Sequence, residues 1–154
     1  MGVRNPCRAL LLAAGTALAL VGCTTVEEEV NEEVGNRFRA QLSGASEVPP
    51  ADPDGAGMAT ISINDDSNRI CTDLEVRMIG DVTAAHIHRG VAGQNGPPVV
   101  NLDPPDDNDS DDCDTADDAL IDEIRHNPSG FYVNVHTTDY PNGAIRGQIA
   151  EVLD

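Results

Sequence analysis

The chain contains no tryptophan and no lysine, and only two phenylalanines and two tyrosines. With so few aromatic residues, a core has to be assembled from Val, Ile, Leu and Ala. Without lysine, all nine basic residues are arginines, set against 27 acids for a formal net charge of −18. That balance excludes nucleic acid as a partner, because its phosphates would be repelled. It also argues against electrostatic docking on anionic lipid. A run of roughly 18 to 20 apolar residues, the length of a membrane-spanning helix, is absent as well. So are a Gly-x-Ser-x-Gly nucleophile elbow, a phosphate-binding loop and a dinucleotide fingerprint. Chemistry that depends on those devices is excluded, and catalysis is not expected unless a metal supplies it. At 154 residues the chain has room for one domain.

What is present begins with an export pattern. Arg4 and Arg8 precede or flank a 13-residue apolar run at 9–21, the length of a signal-peptide core. It ends in Leu20-Val21-Gly22-Cys23, which is similar to a bacterial lipobox. That likeness implies that residues 1–22 are a lipoprotein signal peptide and that Cys23 is the site of lipid attachment. The expected location is then the cell envelope, periplasm or surface, with the membrane as a partner through the lipid. Loss of 1–22 would leave 7 arginines against 27 acids, a formal −20. Residues 23–36, with five glutamates and no periodicity, read as an acidic tether. Residues 37–154 form the domain. Cys71 and Cys113 remain there, and in an exported chain an even pair is expected to oxidise.

Within the domain the signals are those of short strands. Phe38, Ala40 and Leu42 alternate with Arg39 and Gln41. A second strand spans 58–63, with Met58 or Ile61 and Ile63 as its apolar contacts, and Asn64-Asp65-Asp66-Ser67-Asn68 turns the chain. In the third, Ile70, Thr72, Leu74, Val76 and Met78 share a face opposite Cys71, Asp73, Glu75 and Arg77. A histidine strand follows, then a short one at 99–102. The aspartate-rich segment 103–114 loosely resembles a calcium loop but lacks the turn glycine and closing glutamate, and is expected to be a solvated insertion. Thr115 is placed to cap a short helix carrying Leu120, Ile121 and Ile124, ended by Pro128. A second histidine strand at 131–138, an Asn142-Gly143 hairpin turn and a closing strand with Ile145, Gly147 and Ile149 complete the domain. About seven short strands and one short helix point to an all-β fold, an antiparallel Greek-key β-sandwich or flattened barrel.

Three of the four histidines lie on those strands. His86 and His88 are two residues apart, so in an extended chain they share a face, opposite Ala85 and Ile87. A loop with three glycines and a proline follows at once. His136 sits opposite Val133 and Val135 in the second histidine strand. Two readings stand. In one, His86, His88 and His136 hold a single copper or zinc ion, since neutral imidazole suits both and three ligands leave a position open. In the other, they join Asn95, Asn134, Arg146 and Gln148 in a polar network that braces the sheet.

Four ordered blocks then resemble the chordin-domain (CHRD) family. They are Phe38-Arg39-Ala40-Gln41-Leu42-Ser43-Gly44-Ala45-Ser46-Glu47-Val48-Pro49-Pro50, Ala84-Ala85-His86-Ile87-His88-Arg89-Gly90 running on to Asn95-Gly96-Pro97, Phe131-Tyr132-Val133-Asn134-Val135-His136-Thr137, and Pro141-Asn142-Gly143-Ala144-Ile145-Arg146-Gly147-Gln148. Family members commonly carry an acid where this chain has Ala144. A looser likeness is to copper/zinc superoxide dismutase, whose copper is held partly by a His-x-His strand and a later histidine. No bridging His-plus-Asp set for zinc is visible, so no dismutase activity is implied. Taken with the export pattern, the expected role is an extracytoplasmic binding module, with an extracellular protein or polymer as partner.

Overall fold

The computed structural model describes residues 36–152. The signal segment, Cys23 and the tether up to residue 35 lie outside the described residues. Nine strands form one antiparallel sheet: β1 (Arg37–Ser43), β2 (Ala56–Asn64), β3 (Arg69–Arg77), β4 (Val82–Arg89), β5 (Pro98–Leu102), β6 (Asp109–Thr115), β7 (Phe131–Thr137), β8 (Ile145–Gln148) and β9 (Ala150–Glu151). One helix, α1 (Asp118–His126), lies between β6 and β7. The order across the sheet is β5-β4-β7-β8-β1-β2-β3-β6, with β9 beside β1. Its end strands, β5 and β6, approach each other without pairing, so the sheet curls into a nearly closed barrel. Among the described residues no helix is long and apolar enough to cross a membrane.

Alternation explains most of the sheet. Phe38, Ala40 and Leu42 of β1, Ala59, Ile61 and Ile63 of β2, and Ile70, Leu74 and Val76 of β3 are buried in one core. Ala85 and Ile87 of β4, Val100 and Leu102 of β5, and Phe131, Val133 and Val135 of β7 complete its wall. Residues two apart share a face, so these odd or even sets all point inward while Arg39, Gln41, Asp73 and Glu75 point out. Ile121 and Ile124 join the core from α1. Asp118 in its first turn and Arg125 and His126 in its last complement the helix dipole.

Several expectations change. Met58 has the parity of the outer face and is exposed, so Ala59 takes the inward place beside Ile61. Met78 is also exposed, because the chain leaves the sheet after Arg77 and turns through a positive φ of 51°. Thr115 ends β6 rather than capping α1; Asp117 holds the cap position. The largest correction concerns 103–114. Residues 109–115 are not an insertion but a strand, paired along its whole length with β3. Its pairing is made by backbone groups, which carry no signature in side-chain hydrophobicity. Together with β9 it raises the strand number from the expected seven to nine.

Cys71 and Cys113 face each other in the β3–β6 register and are joined by a disulfide. The bond fastens an edge strand whose outer face sets Asp111 opposite Asp73 and Asp109 opposite Glu75. Like charges directly opposite each other destabilise a strand pair, so β6 depends on the covalent link. With a sequence separation of 42, replacing both cysteines by serine is expected to remove about 2–5 kcal/mol of stability in urea unfolding. Amide exchange should accelerate first along β6. An unchanged midpoint and an unchanged β6 would show that the strand holds without its disulfide.

Candidate metal centre

The site is built on the outer face of β4, β7 and β8. Register places His86 opposite Asn134, which is opposite Arg146, and His88 opposite Tyr132, which is opposite Gln148. His136 lies opposite Ala84, diagonal to His86. All these side chains point away from the barrel core, since Ala85, Ile87, Val133 and Val135 point into it. Yet Tyr132 and Asn134 are only 2% exposed, Arg146 5% and His88 8%. A second polar layer is therefore buried outside the sheet.

Loops create that burial. Arg89 N–H donates to Pro97 O (3.0 Å), closing the 90–97 loop at the end of β4. The β4–β5 register shifts between Ile87 and His88, a bulge at the base of this loop. A Cβ at Gly96 would overlap the Arg89 carbonyl, so only glycine fits there. Arg146 holds the loop down. Its guanidinium donates to Gln94 O (3.2 Å) and Asn95 Oδ1 (2.7 Å), and pairs with Glu47 Oε2 (2.6 Å). Asn95 in turn donates to Val48 O (2.9 Å). The guanidinium also lies 4.4 Å from the centre of the Tyr132 ring, which stacks on His88 at 5.0 Å. Gln148 Nε2 lies 2.7–2.8 Å from the carbonyls of Gly90, Ser129 and Phe131 and fastens the loop base.

Within this cover the three imidazoles meet. Ring centres are 5.5 Å apart for His86 and His88, 5.1 Å for His86 and His136, and 6.1 Å for His88 and His136. One nitrogen from each ring lies within 4.8 Å of the other two. His88 Nδ1 is 2.8 Å from Gly96 O, and His136 Nδ1 is 3.1 Å from Pro141 O. A carbonyl only accepts, so both Nδ1 atoms carry the proton and both Nε2 atoms keep a lone pair. Those two Nε2 atoms, and His86 Nδ1, are buried without a hydrogen-bond partner among the described residues. A tetrahedral ion bonded at 2.0–2.1 Å holds its nitrogens roughly 3.4 Å apart, so small ring rotations would complete such a site. His126 stands apart at the end of α1, bonded to Asp122 O.

Electrostatics favour the neutral form of His86 and His88. Burial pushes His86 below its ordinary value of 6.5, and repulsion from His136 and His88 adds to the shift. Burial also lowers His88; the Gly96 carbonyl opposes this, while His136 and Arg146 reinforce it. Burial raises Glu47 above its ordinary 4.5, although Arg146 pulls it down by hydrogen bond and charge, and His136 by charge.

Of the residues singled out in sequence, His86, His88 and His136 converge, and Asn95 and Arg146 are bonded to each other. Asn134 sits between His86 and Arg146, with its Oδ1 buried and unpartnered. Sequence reasoning missed Glu47, Tyr132 and the carbonyls of Gly96 and Pro141. Glu47 lies 99 residues before its partner Arg146, and no spacing rule connects them. Ala144 is fully buried, and the carboxylate beside Arg146 comes from Glu47.

Two outcomes follow from this geometry. Removing one member of a buried ion pair costs about 3–5 kcal/mol; Arg146→Met, which leaves the Glu47 carboxyl buried without its cation and drops the bonds to Asn95 and Gln94, should lose stability of that order in urea unfolding. The histidines set a pH dependence. The folded values of His86 and His88 lie below 6.5, so as pH falls through 6.5 the unfolded chain takes up protons at them first. Stability of the metal-free protein should be full above pH 6.5 and decline below it. Glu47 acts in the opposite sense, losing stability as pH rises from 4.5 towards its raised value. The difference between wild type and His88→Gln isolates the histidine share, and parallel pH profiles for the two would refute it.

No curated protein and no solved structure matches the chain significantly. One family model does, that of the CHRD domain, over residues 38–149. The match spans β1 through Ile149 and contains every residue of the site just described. The chain belongs to the CHRD domain family.

Proposed function

We propose that this CHRD protein is an exported, envelope-anchored module that binds one copper or zinc ion through His86, His88 and His136. The observation that carries the reading is the orientation of two rings. His88 and His136 each direct Nδ1–H to a backbone carbonyl, and each leaves a buried Nε2 lone pair with no partner. Metal-ligating histidines are oriented in this way, by a hydrogen bond from the nitrogen that does not bind. An uncharged three-nitrogen set suits a borderline ion such as zinc or copper rather than calcium or magnesium. The fourth position stays open for water, a small ligand or a group on an extracellular protein or polymer. The Cys71–Cys113 disulfide is compatible with an extracytoplasmic compartment. In this reading Cys23 carries the lipid, and the acidic residues 23–36 hold the domain clear of the membrane.

A second reading keeps the histidines as a brace within a binding module that takes no metal. Its support is the Arg146 net, which holds both loops on the outer face through protein groups alone. Elemental analysis separates the two. The full chain, purified without a His-tag and dialysed against Cu(II) or Zn(II), should retain about one ion per chain. A His86/His88/His136→Ala variant that keeps its β circular dichroism should retain none. Absence of retained metal in the wild type, or equal retention in the variant, would leave the brace.

A further inference from the structure

The edge strand β6 places its acids in an unusual direction. Thr72 pairs with Asp112, Ile70 with Asp114 and Leu74 with Ser110. Paired residues share a face, and Ile70, Thr72 and Leu74 face the barrel core. Ser110, Asp112 and Asp114 therefore point inward, into the seam where β6 approaches β5. Asp103, just past the end of β5, meets them from the other side. Thr72, Leu102, Asp103, Ser110, Asp112 and Asp114 together line a narrow cleft that admits no water-sized sphere.

Carboxylates alone would only make a solvated acidic rim. Thr72 adds an independent sign of a ligand. It is 5% exposed and lines this cleft, and its Oγ1 is buried with no hydrogen-bond partner among the described residues. A buried hydroxyl without a partner is destabilising, and a cation in the cleft would use that oxygen. Ser110 Oγ, which donates to Asp103 O at 2.8 Å, also keeps lone pairs. A hard cation sits 2.3–2.6 Å from its oxygens, closer than a water does, so a narrow oxygen-lined cleft suits it better than it suits a water. Burial raises the carboxyl of Asp114, the charges of Asp112 and Asp103 add to the shift, and Arg69 opposes it. Asp103 and Asp112 are exposed at the rim of the cleft; the three carboxylates stand further apart than the histidine nitrogens, and closing on an ion takes rotation about each Cα–Cβ bond.

We infer that the β5–β6 seam is a binding site for a hard divalent cation of the calcium class, held by Asp103, Asp112 and Asp114 with the hydroxyls of Thr72 and Ser110. The site is independent of the three histidines: it offers only oxygen, lies in the β5–β6 seam rather than on the outer face of β4, β7 and β8, and draws on none of the same residues. Bound there, the ion neutralises the inward acids and ties β6 to the end of β5, closing the seam. The competing account is that inward charges merely keep an edge strand from pairing with other chains.

Calorimetric titration of the chelator-stripped full chain with calcium chloride decides between them, against sodium chloride at equal ionic strength. Saturable binding of about one calcium is expected, with Kd on the order of 0.1–1 mM, as in extracellular calcium modules. Asp112→Asn/Asp114→Asn should weaken it at least tenfold, and Thr72→Val several-fold. Asp73→Asn/Asp111→Asn removes the same charge from the outer face of the same two strands and should leave Kd within twofold, as should His136→Ala. Equal weakening by both aspartate pairs would reduce the effect to diffuse screening and overturn the proposal. So would heats no larger than those with sodium chloride, or full binding by Asp112→Asn/Asp114→Asn. If that double variant fails to fold, Asp112→Asn alone carries the same comparison.

Discussion

The outer polar layer depends on one buried ion pair. Arg146 and Glu47, with side chains 6% and 2% exposed, face each other at 2.6 Å on the outside of the barrel. A lone buried charge there would be prohibitive, and the pair is tolerated because the guanidinium is almost fully satisfied. Its remaining donors go to Gln94 O and Asn95 Oδ1, so one side chain of β8 fixes both the 44–52 segment and the 90–97 loop. A lysine has neither the fork nor the planar face that lies over Tyr132. Glycine at 96 and 143 follows from the same crowding. A Cβ at Gly96 meets the Arg89 carbonyl, and one at Gly143, where φ is +129°, meets Glu47 Oε1 and Asn134.

The histidine chemistry is a consequence of that cover. Left on an open sheet face, three imidazoles would hydrogen-bond to water and titrate near 6.5. Under the loops, His88 is 92% buried by exposure and its Nδ1 is committed to Gly96 O. The loop that removes water from the ring thus also selects its tautomer. The turn between β7 and β8 does the same for His136 through Pro141 O. Burial favours neutral rings, and neutral rings with oriented lone pairs are what a borderline metal ion requires. Packing and ligand chemistry here pull in one direction.

What could be read in the sequence were faces. The alternation of Phe38, Ala40 and Leu42, or of Ile70, Thr72 and Leu74, specifies inward and outward directly, and the Asn142-Gly143 turn marks β7 and β8 as neighbours. The same period puts His86 and His88 on one side of β4. Adjacency between distant strands is not written in any period. β4 lies beside β7 only because β5, β6 and α1 are carried past it, so the meeting of His136 with His86 depends on topology. Glu47 was illegible for the same reason, at a separation of 99 residues from Arg146. β6 failed differently: its acids gave no apolar alternation, because its inner face fronts a seam rather than a filled core. The resemblance of four ordered blocks to the CHRD family covered what periodicity could not, and the family model spans the same region.

The two unusual features of the barrel lie in different places, one on the outer face of the sheet and one in the seam between its end strands, and differ in kind. At β4–β7–β8 a strongly acidic chain gathers three imidazoles and one compensated ion pair. At β5–β6 it concentrates acids on both faces of β6 and brings Asp103, Asp112 and Asp114 to one cleft. Formal charge of −18 distributed evenly would give neither. Neutral nitrogen donors gain little from a hard cation, and carboxylates gain much from one. The arrangement therefore separates nitrogen donors from oxygen donors on one small sheet. It does so with the resource that a chain without lysine has in excess, placing carboxylates where Arg69 only partly offsets their repulsion.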